Sequence, residues 1–448
     1  MISYLKKWMP DFIKDVLRPI KQITYDAWQY NQLLRNIPKK HTQLIKALQG
    51  KQTLRVAFLV SEKSKWKVDE VFRLMQQDTL FSPFIIVTPF HKWDLNNQMA
   101  RVADITHFFQ SKGYEAYSHF SDSQSVIDEL EKADLIFFSE PYDVARNKTY
   151  YSDLFSKKLC FYIPYFFMAT THLKGSSLKF NGIYYPFLLS MWKIYWPHNE
   201  IMSELKKFDK RAIKSSVVTG YPSVEYIYKE ALKPIRASSV WKDNAQGKIK
   251  IIYAPHHTIL NNMIGLEKIS TFIENSEAIK ELAIKYQKSI AWSFKPHPNL
   301  LANLYVHPAW GKEKADAYYQ FWLEQEYTQF DDGAYDDLFL QSDAIIHDCS
   351  SFIVEYAFTQ KPCLYLIGDT DINNFLNDFG KGVIGVYQKA HSPEQIEDFV
   401  KSLINNDKKT AQNTQFFNQY LEQYYQYQLP SERIIHDLKQ SLGYRNDI

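Results

Sequence analysis

Between Tyr335 and Leu366 the chain reads YDDLFLQSDAIIHDCSSFIVEYAFTQKPCLYL, and few architectures admit that order of residues. A helix leads to an apolar strand from Ala344 to Ile346. A polar turn follows (His347-Asp348-Cys349-Ser350-Ser351), then a second helix and an apolar strand closing at Leu366. This is a βαβ unit, which demands a parallel sheet, with its polar residues at the carboxyl end of the first strand. Open parallel sheets bind ligands at that edge. Ser350 and Ser351 fall where a helix begins, so N–H groups, hydroxyls and the positive end of the dipole suit a phosphate or diphosphate. Glu355 follows one turn later, within reach of ribose hydroxyls. The plainer alternative makes Ser350 an N-cap and Asp348 a loop acid.

Two further strands end in the same kind of chemistry. An apolar run from Ser289 to Phe294 stops at Lys295-Pro296-His297-Pro298, and another from Ile249 to Ala254 stops at Pro255-His256-His257-Thr258. Prolines stiffen both tips while a cation and imidazoles are presented beside them. With only 13 histidines in 448 residues, this placement marks a site on three neighbouring strands.

A chain of 448 residues is long enough for two domains with full cores. Strands are expected at Leu54 to Val60, Phe84 to Val87, Leu135 to Phe138, Leu159 to Ile163, Trp192 to Trp196 and Ser216 to Val218, with helices over Val68 to Met75 and Leu95 to Phe109. A polar stretch from Lys233 to Lys248 reads as a linker. The series restarts at Ile249 and continues through Ser289, Ala344, Cys363 and Val383. The expected organisation is α/β: a basic helical arm over 1–50, a Rossmann-like domain over 51–232, the linker over 233–248, a second Rossmann-like domain over 249–425, and a C-terminal helix over 426–448 that crosses back toward the first domain. Such a pair, with its site facing the cleft, describes a transferase.

Composition removes several rivals. There is no GxGxxG and no GxxxxGK[ST], and glycine numbers only 14, so dehydrogenase and P-loop readings lose their support. A net charge of +3 is too balanced for a general nucleic-acid binder. Cys160, Cys349 and Cys363 lack metal-binding spacing and read as reduced thiols. The acidic pairs Asp331-Asp332 and Asp336-Asp337 end no apolar strand, so they are expected to cap and solvate the helix at Tyr335, and no metal is assigned to them. No run is apolar enough for a transmembrane helix or a signal peptide, which places the chain in the cytosol. The first residues qualify that. Leu5, Trp8, Phe12, Ile13, Val16, Leu17 and Ile20 recur at helical spacing among Lys6, Lys7, Lys14, Arg18 and Lys21, with Pro19 expected to kink the helix. A basic amphipathic helix carrying Trp suits an anionic membrane surface. The competing assignment is a helix packed on the first domain.

The segment from Tyr335 to Leu366 resembles the hallmark of the CDP-glycerol glycerophosphotransferases, which build teichoic acids and related capsule polymers. In that family an aromatic-acid-leucine helix leads to S-D, an apolar strand, D-x-S-S, a helix and a K/R-P strand. KPHP at Lys295–Pro298 is similar to its His-bearing loop, YAPHH at Tyr253–His257 to its YAP loop, and TGYP at Thr219–Pro222 to its G-x-P junction. The resemblance implies a GT-B fold, metal-independent transfer without a cofactor from a CDP-activated polyol donor to a lipid-linked polymer, and a peripheral position on the inner membrane face. It places His297 as an essential histidine and Ser350 and Ser351 in the phosphate cradle. The chain differs where the family carries W-H-G-T-P-x-K: Phe161–Phe167 reads FYIPYFF, and His172 is the nearest histidine. His257 stands where an Arg is usual, and Ser223 follows TGYP instead of Arg.

The expected reaction is attack of an acceptor hydroxyl on the donor's β-phosphorus with loss of CMP. His297 serves as cationic clamp or general acid, and His256 or His257 as base. Lys295, Asp348, Ser350, Ser351 and Glu355 bind the donor phosphates and nucleotide. The alternative is a GT-B glycosyltransferase using a nucleotide sugar on the same diphosphate cradle. A UDP-sugar 2-epimerase is more distant, since its relatives carry a glycine pair where Ser350-Ser351 stand, and a silent scaffold in capsule assembly is a third class.

Overall fold

The structure is a computed structural model that describes residues 34–445, apart from 91–92, 121–122, 142–153, 171–178, 181–182, 209, 232, 234–238, 261–267, 350, 369–371, 375 and 408–410. The arm before residue 34, Ser350 and His172 therefore lie outside the described residues, while residues 34–48 form a helix.

Buried apolar runs build two separate parallel sheets. The first contains β1 (Leu54–Val60), β2 (Phe81–Val87), β3 (Ala116–Ser118), β4 (Leu135–Phe138) and β5 (Leu159–Tyr162). A two-stranded hairpin of β6 (Lys179–Phe180) and β7 (Ile183–Tyr184) precedes its last members, β8 (Lys193–Trp196) and β9 (Ser216–Val218). The spatial order is β3-β2-β1-β4-β5-β8-β9, parallel throughout. The second sheet holds β10 (Ile249–Ala254), β11 (Ile290–Phe294), β12 (Thr328–Phe330), β13 (Ala344–His347), β14 (Cys363–Leu366) and β15 (Gln388–Ala390), in the order β12-β11-β10-β13-β14-β15. Each sheet starts in the middle, winds outward one way, then reverses. That is the doubly wound order, and it leaves a crevice where the direction switches, beside β1 and β4 in one sheet and β10 and β13 in the other.

Strands buried on both faces read as continuous apolar runs, which is why most were visible in the sequence. The two-residue strands β6 and β7 were not, nor were β3 and β12, three-residue edge strands with no apolar run to mark them. One expected strand is corrected. Val383 lies inside the helix Asp378–Val386, where Phe379, Val383 and Ile384 are buried, and the edge strand comes just after it at Gln388–Ala390. A short apolar run satisfies a buried helix as well as a buried strand, so its periodicity alone could not separate the two.

The domains are tied at both chain ends of the second. The helix Pro430–Leu442 buries Ile434, Leu438 and Leu442 in the core of the first domain. There Asp437 meets the Lys193 ammonium and the Tyr195 hydroxyl, and Lys439 pairs with Asp78. At the TGYP junction Gly220 sits at φ 91°, and a Cβ there would meet Pro430 and Tyr424 at 2.8 Å. Only glycine admits this close passage of the junction beneath the C-terminal tail.

Candidate functional site

The register of the second sheet brings the three predicted loops together. Tyr253 of β10 lies beside Phe294 of β11, and Ala254 beside His347 of β13, so the turns that follow share one edge. Backbone bonds lock them: Lys295 N–H donates to Tyr253 O at 2.8 Å, and His297 N–H to Pro255 O at 3.0 Å. This edge is the crevice of the second sheet.

Asp348 holds the crevice together. It is fully buried, and its two oxygens accept from His256 N (2.6 Å), Thr271 N (2.6 Å), Thr271 Oγ1 (3.0 Å) and Ser270 Oγ (3.1 Å). Burial pushes the carboxyl pKa upward, and the four donors on its two oxygens oppose that shift. Through these bonds the residue positions the loop carrying His256 and His257.

Three imidazoles cluster where the β10 and β11 loops meet. Ring centroids of His256 and His257 lie 4.5 Å apart, those of His257 and His297 4.1 Å, and those of His256 and His297 5.2 Å. His256 Nδ1 contacts Thr258 Oγ1 at 2.9 Å. Asn303 Nδ2 donates to His257 O at 2.9 Å and lies 3.4 Å from His257 Nδ1, while Asn299 N–H donates to His297 Nδ1 at 3.1 Å. Burial lowers the His257 pKa, and burial together with His257 brings His297 down to about 3. Both shifts favour the neutral imidazole in the unliganded crevice. Neighbouring His347 is fully buried against Cys363 and its own turn, and serves packing.

The fixed cation of the crevice is Lys295, whose buried ammonium donates to Gly333 O at 2.7 Å. It turns toward the acidic turn after β12, and burial lowers its pKa. Ser351 is exposed, with Oγ 3.1 Å from Cys349 Sγ. The helix behind it is shorter than expected. One α-turn, Phe352–Glu355, passes into a 3-10 turn, Tyr356–Thr359, so little macrodipole stands behind the cradle.

Glu355 has a side-chain partner of its own. It faces the domain boundary, buried, and accepts the Tyr335 hydroxyl at 2.5 Å. The same hydroxyl receives Lys67 Nζ of the first domain at 2.5 Å, and Lys67 lies 4.8 Å from the Tyr335 ring centroid. Asp336 joins this boundary group, and burial raises its carboxyl to about 6 with Lys67 and Lys295 opposing. The acidic pairs therefore do more than cap: Asp331 accepts Ser293 Oγ at 2.6 Å, Asp337 accepts the Tyr226 hydroxyl at 2.8 Å, and Tyr335, not an acid, is the N-cap. Sequence reasoning missed Lys67, which carries no local signal, and undervalued Tyr335 and Asp336, which stood inside the quoted segment.

In the first domain FYIPYFF is a structural seam. Phe167 packs at 4.6 Å from Tyr221 and 5.7 Å from Phe358, and its carbonyl meets His198 Nε2 at 2.9 Å. His198 is buried and stacks 3.8 Å from Phe379 of the second domain. On this sheet's own carboxyl edge Glu140 is fully buried, with Lys65 and Ser61 bonded to it.

The sequence profile of the family described as CDP-Glycerol:Poly(glycerophosphate) glycerophosphotransferase matches residues 191–437, more than half of the chain. No curated protein sequence matches it. Among solved structures, S. aureus MnaA with UDP superposes with a TM-score of 0.57 at 17% identity, over 88% of this chain and 100% of that one. UDP-GlcNAc 2-epimerase from Neisseria meningitidis bound to UDP-GlcNAc gives 0.54 at 14%, over 87% and 100%. The wall teichoic acid polymerase TagF, as a histidine variant soaked with CDPG, gives 0.54 at 14%, over 96% and 98%. At such identities the structures establish the fold, GT-B, and nothing finer.

Proposed function

The chain belongs to the CDP-glycerol glycerophosphotransferase family, and from that premise we propose that it moves glycerophosphate, or a similar polyol phosphate, from a CDP-activated donor to a hydroxyl of a lipid-linked cell-surface polymer, releasing CMP. The observation that carries this reading is the meeting of the β10, β11 and β13 loops at the switch of the second sheet, inside the matched region. A donor diphosphate lies there against His256, His257 and His297, with Ser351 beside it and Lys295 beneath. Neutral imidazoles suit proton acceptance from the attacking hydroxyl, and a ring against a phosphate regains basicity as the negative charge approaches. Asp348, Thr258 and Asn303 fix the rings in advance, so little reorganisation accompanies transfer. Glu355, Tyr335 and Lys67 set the closure of the first domain over the donor.

The test is a donor screen with purified protein, offering CDP-glycerol, CDP-ribitol, UDP-sugars and GDP-sugars. CMP release with a CDP-polyol is expected. UDP or GDP release without CMP would replace this reading with the glycosyltransferase one.

A further inference from the structure

We propose that the carboxyl edge of the first sheet binds the hydroxyl-bearing end unit of the acceptor, with Lys65 donating to its hydroxyls and Phe90 and Tyr165 covering its carbon skeleton. This rests on the reading that the chain transfers to an acceptor hydroxyl, and it names the residues and ligand chemistry of that half of the reaction.

Four loops of the first sheet converge on one ammonium. Ser61 and Lys65 follow β1, Phe90 follows β2, Glu140 follows β4 and Tyr165 follows β5. Prolines stiffen three of these tips, at Pro89, Pro141 and Pro164. Glu140 is fully buried and accepts from Ser61 Oγ and, at 2.5 Å, from Lys65 Nζ. The Lys65 side chain is 20% exposed, so it is the accessible member of the pair. Its Nζ lies 5.9 Å from the ring centroids of both Phe90 and Tyr165, and both rings are half-buried.

Charge decides what such an edge accepts. Glu140 and Lys65 cancel, and nearby Glu62 and Arg101 lie 3.9 Å apart and cancel as well. A neutral unit rich in hydroxyls fits this balance better than a bare phosphate. A carboxylate behind an ammonium fixes the direction of its donors, and ring faces cover C–H surface. Apolar walls with a few placed polar groups are the usual make-up of a ligand site. The same loop reaches the second domain: Lys67 donates to the Tyr335 hydroxyl at 2.5 Å, and Lys295 lies 5.8 Å from that ring. The edge therefore borders the donor crevice, where an acceptor hydroxyl is needed. Either a polyol phosphate chain end or a sugar ring presents hydroxyls on a short carbon skeleton.

The test uses full-length protein without donor, titrated with a methyl-capped glycerol phosphate trimer and, separately, with methyl β-glucoside, and read by saturation-transfer NMR. Saturable binding of one probe through its hydroxyl-bearing end unit is expected, and which probe binds tells the two sources apart. Lys65→Met with Glu140→Gln removes both charges together, so neither is left buried and unpaired, and should weaken that binding at least about tenfold. Tyr165→Leu should weaken it about fivefold. Lys63→Met, in the same turn but outside the cluster, should bind as the parent does. Affinity for CDP-glycerol, measured by calorimetry, should stay within about twofold in every variant. Absence of saturable binding of both probes overturns the proposal, as does binding that survives the cluster substitutions. A parallel loss of donor affinity would make the cluster structural and overturn it too. Thermal melts accompany each variant, and Tyr165→Leu, which keeps the ion pair, decides the matter if the double variant fails to fold. CMP release from CDP-glycerol is scored separately: release with probe binding indifferent to Lys65 and Tyr165 removes this inference alone, whereas sensitive probe binding with no release from any CDP-polyol removes the transfer reading.

Discussion

A histidine held near pKa 3 is a histidine the fold forbids to charge, and that has a thermodynamic consequence at His297. Its folded pKa lies below the ordinary 6.5, so its contribution to stability is complete above pH 6.5 and is lost as pH falls from 6.5 toward about 3. Between pH 6.5 and 5 the loss should reach about 2 kcal/mol, at about 1.36 kcal/mol per unit. Asp336 runs the other way: its raised pKa, from 3.8 to about 6, favours folding in acid and costs stability as pH rises through that window. Chemical denaturation at pH 7 and pH 5 should therefore show a steeper acid loss in the parent than in His297→Gln, with the share of His257 retained by both. Equal slopes would show that the ring is already open to solvent. His297→Gln should also lower turnover by about a hundredfold, the scale of one acid–base or charge-stabilising group, and turnover within a few-fold of the parent would make the ring structural. Tyr335 admits a narrower change. Tyr335→Phe keeps the ring but strips Glu355 of its donor and Lys67 of its acceptor, which should cost about 1–3 kcal/mol of stability in the same assay.

The seam between domains is the element-scale feature most exposed to a single atom. Gly380 lies in the first turn of the helix Asp378–Val386, and a Cβ there would stand 2.1 Å from the carbonyl oxygen of Ala169 in the first domain. The same seam carries Asn377 Nδ2 donating to Met168 O at 2.6 Å and Asn377 N–H donating to Ala169 O at 3.1 Å. Gly380→Ala should destabilise by roughly 1–3 kcal/mol, the usual cost of overpacking, and thermal denaturation reads it directly. A melt unchanged from the parent would mean that the domains part freely at this point. What the sequence revealed and concealed divides along the same line. Strands buried on both faces, and the loops that close them, were legible because burial writes apolar runs and chain punctuation into local sequence. Lys67 meeting Tyr335, Asp348 turned inward, and Phe167 sealing the seam were not, because each depends on which distant segment arrives opposite. The segment from Tyr335 to Leu366 marked the right crevice, yet Glu355 within it serves the domain boundary.

At the scale of the whole molecule, the proposed transfer to a lipid-linked polymer calls for contact with a membrane, and no described helix is long and apolar enough to cross one. The C-terminal helix is engaged in the core of the first domain, so it is not free to serve as an anchor. An amphipathic pattern also marks the sequence of the arm over residues 1–35, where Trp8, Phe12 and Leu17 alternate with Lys6, Lys7, Lys14, Arg18 and Lys21. We propose that this arm lies on the anionic inner face of the membrane. Each of those basic side chains should add about 1 kcal/mol near a charged surface, and Trp8 and Phe12 add apolar burial. The electrostatic share must fade as salt rises, since the Debye length falls from about 30 Å at 0.01 M to about 8 Å at 0.15 M. Flotation with phosphatidylglycerol-containing liposomes, comparing the full chain with one lacking residues 1–35, should show the full chain floating at low salt, less so at high salt, and the shortened chain staying below. If both float alike, or neither floats at low salt, the arm packs on the first domain, and the lipid-linked acceptor must be met by another surface.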